Sequence, residues 1–224
     1  MAVLGNATAS FLVALPALFS IVNPLGGALI YSQVTSDREQ AERVALAWRV
    51  ATYSAVVMLS ALWIGASLMS FFGVSIEALR VAGGLVVAAS AWEMLSNSKE
   101  NEDRKKEQAA PAAGAADVAA FFPLTMPFTT GPGTISVAIA LSAGRPSTAV
   151  ELVPFFAGLS GAAVAVAISV GVCYASADRV VALLGAARAR VLNRLSAFLL
   201  LCIGVQILLT GLQGALATVL AVPH

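Results

Sequence analysis

The chain has 224 residues, a formal net charge of +1, and a composition that is 59% hydrophobic but only 11% charged. A soluble domain usually carries about 25% charged residues, and its interior would be too small to hide this much apolar surface. These values exclude an ordinary soluble domain and predict a protein embedded in a lipid bilayer.

Five long stretches without a charged side chain predict membrane-spanning helices. Each is longer than the about 20 residues that cross a hydrocarbon core about 30 Å thick. Helices are expected because a helix satisfies its backbone hydrogen bonds internally, as lipid requires. A sixth, weaker span with charged ends is expected near 76–96. The five uncharged stretches are residues 1–36, 50–76, 118–144, 152–177 and 195–223.

Two of the predicted spans contain clusters of proline and glycine that should interrupt the helix. The first span carries Asn-Pro-Leu-Gly-Gly at 23–27, and the fourth carries Gly-Pro-Gly at 131–133. Proline removes a backbone donor and clashes with the preceding turn, so a break inside lipid is costly unless the freed groups find partners. A simple kink is the alternative for one cluster alone, but two clusters at matching places favour a function.

A charged segment, residues 99–117, divides the spans into two sets of three and is predicted to be a mobile cytoplasmic linker. The first three-helix repeat covers 1–98 and the second covers 118–224. Because each set has an odd number of spans, the second set must lie upside down. The fold prediction is therefore an all-α membrane protein with six transmembrane helices in two inverted repeats. Broken helices at corresponding places in two repeats are a sequence pointer to a transporter site.

The distribution of Lys and Arg predicts the orientation. Eleven of these residues fall in or beside the first, third and fifth connections, whereas the opposite side holds only Arg80 and Arg145. Connections rich in Lys and Arg stay in the cytoplasm. Both termini are therefore expected on the other side of the membrane.

The interrupted helices predict a site for a small, overall neutral ligand. A break exposes N–H groups with partial positive charge and C=O groups with partial negative charge, which can hold both ends of a zwitterion. Glycine lets a ligand approach the backbone closely. The threonine hydroxyls either bind the ligand or bond back to their own helix, and the sequence leaves both open. The candidate substrate-binding residues are Asn23, Pro24, Gly26, Gly27, Thr129, Thr130, Gly131, Pro132, Gly133 and Thr134.

The sequence lacks the motifs of a membrane enzyme. Its only histidine is His224, and it contains neither a His-Glu-x-x-His motif nor a phosphate-binding loop. No enzymatic activity, catalytic residue, metal, cofactor or nucleic-acid partner is therefore expected. Glu93 is interpreted as an interface residue, with a proton carrier as the alternative. The Gly83-Gly84 pair is interpreted as a helix-packing element.

These motifs resemble the MarC family of bacterial membrane proteins over nearly the whole chain. The resemblance rests on the two broken spans, on the Gly83-Gly84 pair, and on the run around Val205-Gln206. The motifs in the broken spans are Asn23-Pro24-Leu25-Gly26, then Pro123-Leu124-Thr125-Met126-Pro127, followed by Gly131-Pro132-Gly133 and Ile135.

The resemblance implies six spans in the bacterial inner membrane and transport of small neutral amino acids such as glycine or alanine. Direction of transport, the coupling ion (a proton or sodium) and the presence of a homo-oligomer stay open. The alternative function is a non-transporting scaffold or assembly subunit, in which the loop at 97–117 would bind a partner.

Overall fold

Residues 2–96, 98–109, 119–146 and 148–220 are described by a computed structural model, and within these ranges the chain forms helices and no strand. The all-α prediction is therefore confirmed for this part of the chain. The helices in chain order are α1 (Ala2–Val22), α2 (Pro24–Val34), α3 (Gln40–Phe71), α4 (Ile76–Ser96), α5 (Ser98–Ala109), α6 (Ala120–Thr129), α7 (Pro132–Ser142), α8 (Ala149–Ala175) and α9 (Ala177–Leu220).

Five helical segments in the described ranges are long and apolar enough to cross a membrane. They are Ala7–Val34, which joins α1 and α2, together with α3, α4, α8 and the Val191–Ala217 part of α9. The predicted fourth span differs because it is divided into α6, of 10 residues, and α7, of 11 residues. At 1.5 Å per residue α7 is only about 16 Å long. The count of six spans therefore stays a prediction.

Two helices extend well beyond the uncharged stretches that predicted them. Helix α3 begins at Gln40 rather than near residue 50, and α9 begins at Ala177 and runs for 44 residues. The added segments are rich in Ala, Leu, Arg and Glu, which favour helix. An uncharged stretch thus identifies only part of each helix, and the helix itself continues into the charged sequence beside it.

The surface of the bundle is apolar, as a lipid environment requires. Large hydrophobic side chains lie exposed on several helices, among them Val13, Trp63, Phe71, Val153 and Phe198. A soluble protein rarely exposes so many large apolar side chains together. The surface and the helix lengths together indicate an integral membrane protein.

The short helices that follow the two breaks pack against different halves of the chain. Helix α2 lies against α8 and α9, whereas α7 lies against α3 and α4. Helix α1 packs chiefly on α8, and α6 packs on α3. Each broken span is therefore surrounded mainly by helices from the other side of residues 99–117.

Residues 99–109 of the predicted mobile linker belong to helix α5. This helix packs against α6, α2 and α4. It therefore lies on the bundle next to the second break instead of extending away from it. The rest of the predicted linker, residues 110–117, lies outside the described residues.

Helices α4 and α9 cross at glycines, which confirms the packing interpretation of the Gly83-Gly84 pair. A Cβ atom on Gly84 would come closer than 3.0 Å to the backbone of Leu208 and Gly204. A Cβ atom on Gly204 would lie 2.5 Å from the amide nitrogen of Ala88. Gly83 faces α7, where its Cβ would meet Ala140 at 2.5 Å. Small residues at such crossings let helix backbones approach closely in lipid.

We expect Gly84→Ala and Gly204→Ala to destabilise the protein by about 1–3 kcal/mol each, because the added methyl group would press on a neighbouring backbone. The matched control is Gly161→Ala, whose Cβ would lie 3.5 Å from Phe11, an ordinary contact. Apparent unfolding temperatures in detergent measure the effect. Equal temperatures for all three variants would contradict this account of the crossing.

Candidate functional site

The first break is stabilised by Asn23, which has a left-handed backbone with φ 53° and ψ 64°. Asparagine tolerates this conformation better than most residues. The Asn23 Oδ1 atom accepts a hydrogen bond from the Gly26 amide at 3.1 Å, and its carbonyl accepts one from the Gly27 amide at 2.9 Å. Pro24, the first residue of α2, has no N–H group to satisfy. The break therefore satisfies backbone donors at the start of α2 from within its own sequence.

Gly26 is required by this cap. A Cβ atom at position 26 would lie 2.5 Å from the Asn23 side-chain nitrogen. Asn23, which was predicted to bind the ligand, thus has a local structural role that the sequence did not reveal.

The second break follows α6, a helical segment that is wound more widely than an α-helix. Phe122 and Met126 have extended backbones, as expected for residues that precede proline, and both X-Pro bonds are cis. The Thr130 amide accordingly bonds to a carbonyl five residues earlier, that of Thr125, at 2.8 Å. Regular helical hydrogen bonding is therefore lost before the Gly-Pro-Gly cluster is reached.

Threonine hydroxyls donate hydrogen bonds to backbone carbonyl groups of α6. Each donates to a carbonyl five residues earlier: Thr125 to Ala120 at 2.7 Å, Thr129 to Leu124 at 2.6 Å, and Thr130 to Thr125 at 3.1 Å. Of the two alternatives that the sequence left open, the structure has back-bonding at these positions. The hydroxyl protons are therefore used within α6, and only the oxygen lone pairs remain to accept further bonds.

Tyr174, on α8, connects the two breaks, and sequence reasoning missed it. Its hydroxyl lies 3.1 Å from Thr129 Oγ1. Because the Thr129 proton is donated to Leu124, Tyr174 is the donor of this bond. On the other side, a Cβ atom on Gly27 would collide with the Tyr174 hydroxyl. The tyrosine is buried, and its ring stacks on Tyr31 with centroids 4.7 Å apart. The only sequence signal was a polar aromatic residue near the end of an apolar span.

A cavity of about 210 Å³ lies beside the second break. Five of the ten predicted site residues line it, and these are Thr129, Gly131, Pro132, Gly133 and Thr134. The other five, Asn23, Pro24, Gly26, Gly27 and Thr130, do not line it. The two breaks are thus neighbours across Tyr174, but only the second one forms a wall of this cavity.

Polar and charged side chains also line the cavity. Helix α4 contributes Ser90 and Glu93, and α5 contributes Arg104, Lys105 and Gln108. Arg104 Nη2 donates to Glu93 Oε1 at 2.7 Å, so these two charges form an ion pair. Burial lowers the pKa of Lys105 to about 8. Glu93 therefore lies at the cavity rather than only at the membrane surface.

A second cavity, of about 330 Å³, lies at the other end of α7. It is lined mainly by apolar side chains, with Arg80 and Gln206 among the polar ones. Arg80 Nε donates to the carbonyl of Ala143 at 2.9 Å. Helix α7 therefore has Gly133 and Thr134 in the first cavity and Ala140 and Leu141 in the second.

The start of α9 is tied to the start of α3 by an ion pair and to the end of α2 by a hydrogen bond. Arg43 donates to both carboxylate oxygens of Asp178 at 2.8 and 2.9 Å, and the Ser32 hydroxyl donates to the same carboxylate at 2.9 Å. The hydrogen bonds from Arg43 and then Ser32 hold the pKa of Asp178 below its usual range.

A family model described as "MarC family integral membrane protein" matches residues 8–216. A UPF0056 membrane protein of Methanocaldococcus jannaschii is 28% identical over 209 residues, which is 92% of this chain and 97% of the relative. The UPF0056 inner membrane protein MarC of Salmonella typhimurium is 30% identical over 210 residues, covering 90% and 93% of the two chains. A UPF0056 membrane protein of Buchnera aphidicola is 30% identical over 209 residues, or 91% and 92%. No solved structure matches the chain significantly.

The contact between Gly27 and Tyr174 predicts a non-additive pair of substitutions. Gly27→Ala should destabilise the protein because its Cβ would strike the Tyr174 hydroxyl, whereas the nearest ring carbons would still be 3.1 Å away. Tyr174→Phe alone should cost only about 1 kcal/mol for the lost hydrogen bond. In the double variant the hydroxyl is absent, so the cost of Gly27→Ala should fall.

Apparent unfolding temperatures of the four proteins in detergent test this. A double variant whose loss equals the sum of the single losses would contradict the assigned contact.

Proposed function

The chain belongs to the MarC family of integral membrane proteins, and we propose that it is a secondary transporter of small neutral amino acids such as glycine or alanine. It would act in the bacterial inner membrane by alternating access. The basic connections would face the cytoplasm and both termini the opposite side, in line with the charge distribution.

The observation that carries the proposal is the cavity of about 210 Å³ beside the second break. The cavity has room for a zwitterion of five or six heavy atoms. The walls combine backbone of the Gly-Pro-Gly cluster with polar and charged side chains. Such a site favours a ligand with a charged group at each end and almost no side chain.

The packing of the broken spans supports an inverted repeat. In the proposed scheme α1 with α2 is the counterpart of α6 with α7, and the latter pair crosses the membrane together as the missing span. Helix α2 packs on α8 and α9, whereas its proposed counterpart α7 packs on α3 and α4. A two-fold relation between the repeats would produce this reciprocal packing. Inverted repeats with broken helices near the bilayer midplane are typical of secondary transporters.

The two cavities at opposite ends of α7 support alternating access. Thr134 lines one cavity and Leu141 lines the other, about two helical turns away along α7. A small displacement of α7 against α3 and α4 would widen one of the two cavities while narrowing the other. We therefore propose α7 as the element that separates the two access routes.

The scaffold alternative would require residues 97–117 to be available to a partner. The packing of α5 on α6, α2 and α4 favours a role inside the transporter instead.

Transport assays in liposomes test the proposal. We expect the purified protein to move labelled glycine and alanine, but not leucine or phenylalanine, under a proton or a sodium gradient applied separately. Gly133→Leu should reduce flux at least about tenfold by placing its side chain in the cavity, since one misplaced methylene group in a tight site costs roughly that much. A wild-type protein that moves none of the amino acids under either gradient would contradict the proposal.

Gly161→Leu is the matched control for that variant. Gly161 is an exposed glycine of another helix and does not line the cavity. Flux should therefore stay close to that of the wild-type protein. Elution of both variants as single species from a gel-filtration column separates loss of transport from loss of folding.

A further inference from the structure

The charged wall of the cavity at the second break comes largely from α5, the helix between the two sets of spans. Arg104, Lys105 and Gln108 of this helix line the same cavity as the Gly-Pro-Gly cluster. Arg104 is engaged by Glu93. In the part of the chain that the structure describes, Lys105 has no hydrogen-bond or ion-pair partner. It is therefore the cation in this wall that is available to a ligand.

The start of α7, which also lines the cavity, offers a backbone donor. Among the first residues of α7, Pro132 has no N–H group, and the amides of Thr134 and Ile135 both donate to the carbonyl of Gly131, at 3.0 and 3.3 Å. Within the described residues the Gly133 amide has no such partner. A lysine ammonium and a free amide at the start of a helix both suit an anionic group.

We propose, on the basis of the transport function proposed above, that Lys105 binds the carboxylate of the amino-acid substrate in this cavity and that α5 thereby forms part of the substrate site. The Gly133 amide is the second donor to that carboxylate. The linker between the repeats is in this view a structural component of the site rather than a simple connection. The ligand class is a small α-amino acid whose carboxylate is free.

The charge of Lys105 makes this binding sensitive to pH. Burial lowers its pKa to about 8, so the ammonium form dominates at pH 7 and is the minor form at pH 9. Carboxylate binding requires the ammonium form and should weaken as the pH rises through 8. The charged groups near Lys105 are Glu93 on α4 and Asp103, Arg104 and Glu107 on α5. Helix α6 carries no titratable side chain, and on α2 the only one is Tyr31, whose hydroxyl donates to the carbonyl of Arg43.

The experiment measures binding of labelled glycine to the full-length protein in lipid nanodiscs, with unlabelled glycine and glycinamide as competitors. Glycinamide keeps the amino group but lacks the carboxylate. We expect the wild-type protein to prefer glycine strongly. Lys105→Ala and Lys105→Gln should each weaken glycine binding roughly ten- to hundredfold, the usual effect of losing a charged hydrogen bond, and should abolish most of the preference over glycinamide. Lys106→Ala, at the next position of α5, is the control and should bind as the wild-type protein does.

The pH profile adds a second readout. Wild-type affinity should fall about tenfold between pH 7 and pH 9, following the loss of the ammonium form. Lys105→Arg should show a flat profile over the same range, because arginine stays charged. Glycine itself remains largely a zwitterion over most of this range.

The outcomes distinguish this assignment from the transport proposal. If the wild-type protein binds glycine and both uncharged variants bind it equally well with the same preference over glycinamide, the role of Lys105 is overturned while the transport proposal stands. If the wild-type protein binds no amino acid, both are overturned.

Discussion

A backbone amide or carbonyl inside a bilayer has no water to bond with, and every interruption of a helix there must supply its own partners. The chain meets this requirement differently at its two breaks. At the first, a single asparagine in a left-handed conformation caps the new helix with its side chain. At the second, threonine hydroxyls bond to carbonyls five residues earlier along a widened turn. Both breaks are therefore stabilised by polar residues that lie within two positions of a proline in the sequence.

This constraint changes the role that is assigned to the polar residues near the breaks. Sequence reasoning could identify Asn23, Thr129 and Thr130 as unusual in an apolar span, since polar groups in lipid need partners. It could not decide whether a ligand or the backbone is that partner, because the answer depends on dihedral angles that no pattern of residue types specifies. The structure assigns Asn23 and the threonines of α6 to the backbone. The cavity beside the second break is lined by Gly131–Thr134 and by the charged side chains of α4 and α5.

The membrane-spanning helices were predictable, because a long stretch without charged side chains is what a helix in lipid requires. Contacts across the bundle were not, and Tyr174 is the clearest example. Position 174 is about 150 residues from Gly27 and 45 residues from Thr129, so only tertiary packing brings it between them. The position of α5 was missed for a related reason. Its sequence is strongly polar, which is typical of a solvent-exposed segment, and nothing in it indicates that one face lies on α6.

The position of α5 also bears on how the proposed transporter would move. Helix α5 lies between the two sets of helices in the chain, and it contacts α2 and α4 from the preceding set and α6 from the following set. Rocking of one repeat against the other would therefore move α5 relative to at least one wall of the cavity. A ligand held by both Lys105 and the start of α7 would connect these walls, and it would bias the motion by its different affinity for the two arrangements. The same residues would then serve recognition and access, because a zwitterion small enough to fit is also the ligand that can hold both walls together.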